Sequence, residues 1–371
     1  MSAAEAENNV GPSDGSARRE TFLARYPRKL KLGALGLIIA ALLLPWLLFG
    51  GSQSHELRTT KAAISGSDSR AALVNQAPLS PLQSDRASPK EGAGASTPEE
   101  VSNDTSSVFL RPAPDLGVSE ETPQGSLPRI GEDGRQPWQV YARPFNTNDK
   151  RPRIAIVITD LGMSRVSSDA AITRLPSNVD LAFNVQSPVV GAWLARARQA
   201  GHETILMLPM EPFDYPRSDP GPNSLLSNLP NSDNLQRLQW ALMQASGYVG
   251  VTTLSGSRLT TDPSKITPIL DVIHKRGLMV LDARVAPHSA ITDLARTAHI
   301  PVAVNTERLD RNLSPEAIDE ALNHLEQTAR LNGQAVGIAP ALPILLERLA
   351  EWTRQLPRDG IALAPLTAVA Q

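Results

Sequence analysis

Cysteine is absent from all 371 residues. That excludes disulfides, a thiol nucleophile and zinc held by thiolates. It is compatible with either redox compartment, and an exported chain without cysteine has no pairing to manage. An excess of one charge is also lacking. Lys and Arg number 36 against 38 Asp and Glu, a net charge of −2, so nothing points to a nucleic-acid partner. Histidine is sparse and scattered, at His55, His202, His274, His288, His299 and His324. A zinc site needs two or three imidazoles, or imidazole with carboxylate, and the spacing supplies at most one candidate, His288. No Walker or dinucleotide fingerprint occurs, and no Gly-x-Ser-x-Gly elbow.

What is present is unevenly distributed. Residues 1–17 are polar, then come Arg18, Arg19, Arg25, Arg28, Lys29 and Lys31. They precede LGALGLIIAALLLPWLLFGG, Leu32 to Gly51, which carries no charge. As a helix it covers about 30 Å, the thickness of a bilayer's hydrocarbon core. The positive flank assigns residues 1–31 to the cytoplasm and the rest to the far side. The competing reading is a cleaved signal peptide. The run is longer than a usual signal core and no A-x-A site follows, so an uncleaved anchor is expected. Residues 52–136 are rich in Ser, Pro and Ala and read as a disordered linker. Residues 137–152 gather Trp138, Tyr141 and Phe145 in PWQVYARPF. They are expected to pack as an arm on the outside of a folded domain.

From residue 153 to 371 the pattern changes to alternating strands and helices. Strands are expected at 154–159, 179–183, 204–208, 249–253, 278–282, 302–304, 335–338 and 361–363. Helices are expected at 164–175, 192–200, 233–246, 263–276, 289–297, 315–331 and 344–356. Asp262-Pro263 and Ser314-Pro315 read as capped starts, and Gly201, Gly247, Gly277 and Gly333 as stops. Seven or eight βα units predict an α/β barrel or a doubly wound sheet.

Chemistry in such folds collects at the C-terminal ends of the strands. The strand IAIVITDLG ends in Thr159 and Asp160. Glu211 follows the third strand, Ser257 and Arg258 the fourth, and Asp282 and Arg284 the fifth. These six, Asp160, Glu211, Ser257, Arg258, Asp282 and Arg284, are the candidate groove and ligand-binding residues. The bland alternative is that they satisfy one another as structural ion pairs.

Five segments resemble one family. IAIVITDLG is similar to IAIVIDDLG, GHETILMLPMEPFDYPRSDPGPNSL to a GHE…HLPMEP…PGP segment, and GVTTLSGSRLT to GVNNHMGSRFT. GLMVLDAR and GIAPALPILLERLAEW, in that order, complete the match from about 153 to 371. The family is the divergent polysaccharide deacetylases of Gram-negative bacteria. The resemblance implies a distorted (β/α) barrel with seven or eight strands. It also implies a metal-dependent ancestry, in which one Asp of a pair acts as base and the next holds a metal with two imidazoles. This chain departs from that plan. Thr159 replaces the first Asp, Met207 and Leu254 stand at His positions, and the segment Gly337–Ala341 has no His. No metal and no other cofactor is therefore expected, and no catalytic residue is assigned.

The leading expectation is a non-catalytic domain that binds a glycan or peptidoglycan fragment. It would be anchored in the inner membrane through 32–51 and lie in the periplasm. A hydrolase using the remaining carboxylates without metal is one alternative. A module that positions an envelope protein is the other.

Overall fold

The computed structural model describes residues 110–371. The apolar run at 32–51 and the linker up to 109 lie outside these residues. Among the described residues, no helix is long and apolar enough to cross a membrane.

The described chain opens with an antiparallel hairpin, β1 (Ser119–Thr122) and β2 (Gly125–Pro128). This corrects the boundary of the expected linker, because residues 110–136 are part of the folded body. A single turn, α1 (Pro137–Val140), follows. The strand β3 (Arg153–Leu161) is the IAIVITDLG run. It is buried along nearly its whole length because both its faces are covered, which is why its sequence does not alternate. Ile154, Ile156 and Ile158 pack in one core and Ala155 and Val157 in another.

Seven further βα-type strands run parallel to it: β4 (Asp180–Asn184), β5 (Thr204–Met210), β6 (Gly250–Ser255), β7 (Met279–Asp282), β8 (Val302–Val304), β10 (Gln334–Pro340) and β11 (Ala362–Leu363). All eight expected strands form. The two-residue strand β9 (Glu307–Arg308) was too short for its sequence to announce. The sheet order is β8-β7-β6-β5-β4-β3-β10-β9, with β11 beside the N-terminal half of β3. Read in a circle, the order rises singly from β3 to β10. That is the winding of a barrel and excludes a doubly wound sheet, whose order reverses partway. The curled sheet stays open between β8 and β9. The two-residue link there bonds both ways: Asn305 N–H donates to the Asp282 carbonyl and Thr306 N–H to the Val336 carbonyl.

Seven helices wrap the sheet: α2 (Arg165–Arg174), α3 (Val190–Gln199), α4 (Asn231–Leu242), α5 (Pro263–Lys275), α6 (Ile291–Thr297), α7 (Pro315–Asn332) and α8 (Pro343–Trp352). The caps are as expected. Asp262 accepts from Ser264 N–H and Ser314 from Ala317 N–H, each with Pro at the first helical position. Gly333 ends α7 at φ +79°, where a side chain would be strained.

Two apolar cores result. The outer one lies between sheet and helices and carries most of the large aliphatic side chains. The inner one mixes small residues such as Ala155, Ala182 and Ala303 with larger ones such as Ile205, Met207, Leu281 and Ile338. The aromatic arm belongs to this inner core, not to the outside of the domain. Val140 and Tyr141 are buried in it, with Trp138 and Phe145 packed against it. Leu366 and Val369 join from the C-terminal tail. The arm and tail thus cover the inner core where the strands begin.

Candidate functional site

The other end of the strands carries the six candidate residues. Three positions at its rim hold a left-handed backbone without being glycine: Asp160 at φ +61°, Ser255 at +60° and Arg284 at +48°. Each costs about 1–2 kcal/mol relative to an ordinary conformation. Among the described residues only two other non-glycine positions do this, so the strain concentrates where α/β folds place function.

Asp160 is turned out of the sheet by a bulge. The pairing of β3 with β4 shifts register between Ile158 and Leu161, and Asp160 is exposed while its neighbours are buried. Its carboxylate accepts from the Thr159 hydroxyl at 2.9 Å. Its backbone N–H points at the Met207 sulfur, 3.1 Å away. A thioether on β5 therefore occupies the space beside Asp160. Met207 is buried in the inner core, and Leu254 and Val285 pack against that core as well.

Glu211, just past β5, is a loop organiser. Its carboxylate accepts from Ser227 N–H and lies 3.5 Å from Arg258 Nε. Its carbonyl accepts from the N–H groups of Arg258 and Leu259. Arg258 also donates to the Phe213 carbonyl at 3.1 Å, and the Ser257 hydroxyl accepts from Phe213 N–H at 3.0 Å. Glu211, Ser257 and Arg258 together therefore fix the loop that begins at Pro212.

Asp282, at the end of β7, is 1% exposed and fully committed. One oxygen accepts from Arg284 N–H at 2.9 Å and from the Ser289 hydroxyl at 3.1 Å. The other accepts from the Thr292 hydroxyl at 2.6 Å. The turn this creates sets Arg284 in its left-handed conformation with its side chain exposed. Among the described residues, the Arg284 guanidinium forms no ion pair. The candidate set is thus not one knot: Glu211 pairs with Arg258, Asp282 with hydroxyls, and Asp160 with Thr159. Sequence reasoning missed Ser227, Phe213, Ser289 and Thr292. Only the last two had a legible signal, as hydroxyls placed three apart where a helix begins.

The fit of a metal can be tested on these residues. Among the described residues, no three His, Asp or Glu side chains group so as to hold an ion. Around Asp160 the available side-chain donors are the Thr159 hydroxyl and the Met207 thioether. A hydroxyl and a thioether are poor ligands for a zinc-like ion, and the site does not fit one.

The class defined by this geometry is a singly wound α/β fold with a curled, open, parallel barrel-like sheet. The divergent polysaccharide deacetylase family matches residues 156–370, and the chain belongs to that family. It is similar to a protein from Agrobacterium tumefaciens C58, ATU2773, whose crystal structure superposes with a TM-score of 0.64 at 35% identity, over 66% of this chain and 99% of that one. It also resembles the uncharacterized protein YibQ of Escherichia coli K12, at 24% identity over 208 residues. That match spans 56% of this chain and 64% of YibQ, so it falls short of two thirds of the relative's length. A relative in Haemophilus influenzae is 25% identical over 213 residues, covering 56% of this chain and 73% of its own.

Proposed function

We propose that this domain is a non-catalytic member of its family that retains the barrel mouth as a binding surface for envelope glycan. The carrying observation is the environment of Asp160, with Thr159 and Met207 where base and metal ligand are expected. Thr cannot serve as a carboxylate base, and neither Met nor Leu replaces imidazole toward a borderline metal. Asp160 and Arg284 remain exposed at the mouth, and a carboxylate with a guanidinium suits the hydroxyls of a sugar. The run at 32–51 would anchor the chain in the inner membrane, with the domain in the periplasm.

The test has two arms. The purified protein is assayed for bound zinc and for deacetylation of chitin oligomers and peptidoglycan fragments, with no stoichiometric zinc and no turnover expected. Glycan and muropeptide pull-down is run beside it with Asp160→Ala and Arg284→Ala, each expected to lower capture. Deacetylation by the wild-type chain defeats the non-catalytic reading. Capture that ignores both substitutions defeats the binding reading.

A hydrolase running on the carboxylates alone gains no support from the geometry. Asp282 has no oxygen free of a donor, and Glu211 is held by Ser227 and Arg258. A protein-docking role is favoured by one observation. Met163, Val166, Val189 and Phe213, from the loops and the first helical turn after three neighbouring strands, are 54–81% exposed. Site-specific crosslinking in cells from Phe213 would separate the two, since capture of an envelope protein there supports docking.

A further inference from the structure

A cavity of about 690 Å³ lies away from the barrel mouth, between α3, the C-terminal end of α4 and residues 110–113. Volumes of this order hold small organic ligands. Its lining is mixed. Met243, Ala195, Leu110 and Pro112 contribute apolar surface, Ser126 and Ser246 contribute hydroxyls, and among the described residues the only ionisable side chains are Arg111 and Arg198.

Arg198 is the unusual member. It is 5% exposed. Among the described residues it forms no ion pair, and the Glu203 carboxylate acts on it only from a distance. Its terminal nitrogens donate to the carbonyls of Tyr141, Gly247 and Arg111, and its guanidinium sits 5.0 Å from the Tyr141 ring centre. Nε has no acceptor. Carbonyls and a ring face are dipoles, so they solvate the cation without neutralising it. Burial of a guanidinium without a counter-ion in direct contact is rare and unfavourable. The desolvation is large enough to pull its pKa down to about 10.

We propose that the cavity is a binding site for a small carboxylate with an apolar body. The carboxylate would meet the exposed Arg111 guanidinium and the hydroxyls within the field of buried Arg198, and the body would lie on Ala195 and Met243. Arg111 and Arg198 are joined through the Arg111 carbonyl, so an occupant would also hold the segment by which the folded body continues toward its N-terminal sequence.

The experiment uses the full chain in lipid nanodiscs and three probes of equal size, read by fluorine NMR. They are 4-(trifluoromethyl)benzoate, the matching benzyl alcohol and the matching benzylamine. Saturable binding of the benzoate is expected, with the alcohol about tenfold weaker or worse, as befits loss of a charge-assisted contact, and no binding of the amine. Arg111→Gln should weaken the benzoate about tenfold. Ala195→Trp, on an exposed helix position, should fill the space and abolish saturation without altering the unfolding midpoint. Equal binding of alcohol and benzoate, benzoate binding that survives Ala195→Trp, or no saturation by benzoate would each overturn the proposal.

Discussion

The two ends of the barrel use carboxylates in opposite ways. Where the strands begin, Asp180 and Glu203 are fully buried and face each other. Glu203 accepts from Arg143 N–H at 2.7 Å and from Thr367 N–H at 3.2 Å, and Asp180 accepts from Leu366 N–H at 3.0 Å. The N-terminal arm and the C-terminal tail are thereby tied to β4 and β5. One oxygen of Asp180 is buried with no donor in reach. A proton shared between the two carboxyls would supply that donor. Burial and the Glu203 charge both push Asp180 well above the ordinary carboxylate range. Where the strands end, Asp160 is exposed, on a strained backbone, and meets only a neighbouring hydroxyl. A perturbed carboxylate is often read as a functional one. Here the most perturbed carboxylates hold termini, and the functional candidate is the open one.

The largest expected effect is at the closed end. Glu203→Ala leaves Arg143 N–H and both Thr367 donors without an acceptor. It should destabilise by about 3–5 kcal/mol in urea unfolding, as removal of one partner from a buried polar pair does. At the open end, Asp282→Ala strands the Ser289 and Thr292 hydroxyls and frees the turn at Arg284. About 2–3 kcal/mol is expected by the same measurement, together with faster amide exchange in residues 283–290.

A smaller effect separates the pair by pH. Asp180 holds its proton more tightly folded than unfolded. Its contribution is therefore complete below the ordinary carboxylate range and declines as pH rises through its higher folded-state value. Asp180→Asn keeps the shape, accepts from Leu366 N–H and donates to Glu203. It should flatten that decline in a series of unfolding curves, and an unchanged slope would mean that the pair shares no proton. The smallest change is a gain. Asp160→Gly relieves the left-handed backbone and should stabilise by about 1 kcal/mol, with loss of glycan capture. A loss of stability instead would show that the Thr159 contact outweighs the strain.

Much of the fold was legible because its signals are local. Short, β-branched aliphatic runs such as Ile154–Ile158, too short for a buried helix, read as strands covered on both faces, and Asp262-Pro263 and Ser314-Pro315 mark helix starts through chemistry within three residues. The hairpin at 119–128 was hidden because SEET and GSLP carry no apolar alternation. Its neighbours supply the burial. The arm's place in the inner core is not legible, because aromatics reveal that a segment packs without revealing against what.

The site divides the same way. The sequence established that Thr159, Met207 and Leu254 carry neither carboxylate nor imidazole, wherever they lie. It also established the family, because order and spacing of five segments survive in one dimension. The partners of each remaining group were settled by the fold. Whether Asp282 faces a ligand or Ser289 and Thr292, and whether Asp180 meets Glu203 from the next strand, depends on strand register and loop path. Those are set by the packing of the whole barrel, and no local stretch of residues encodes them.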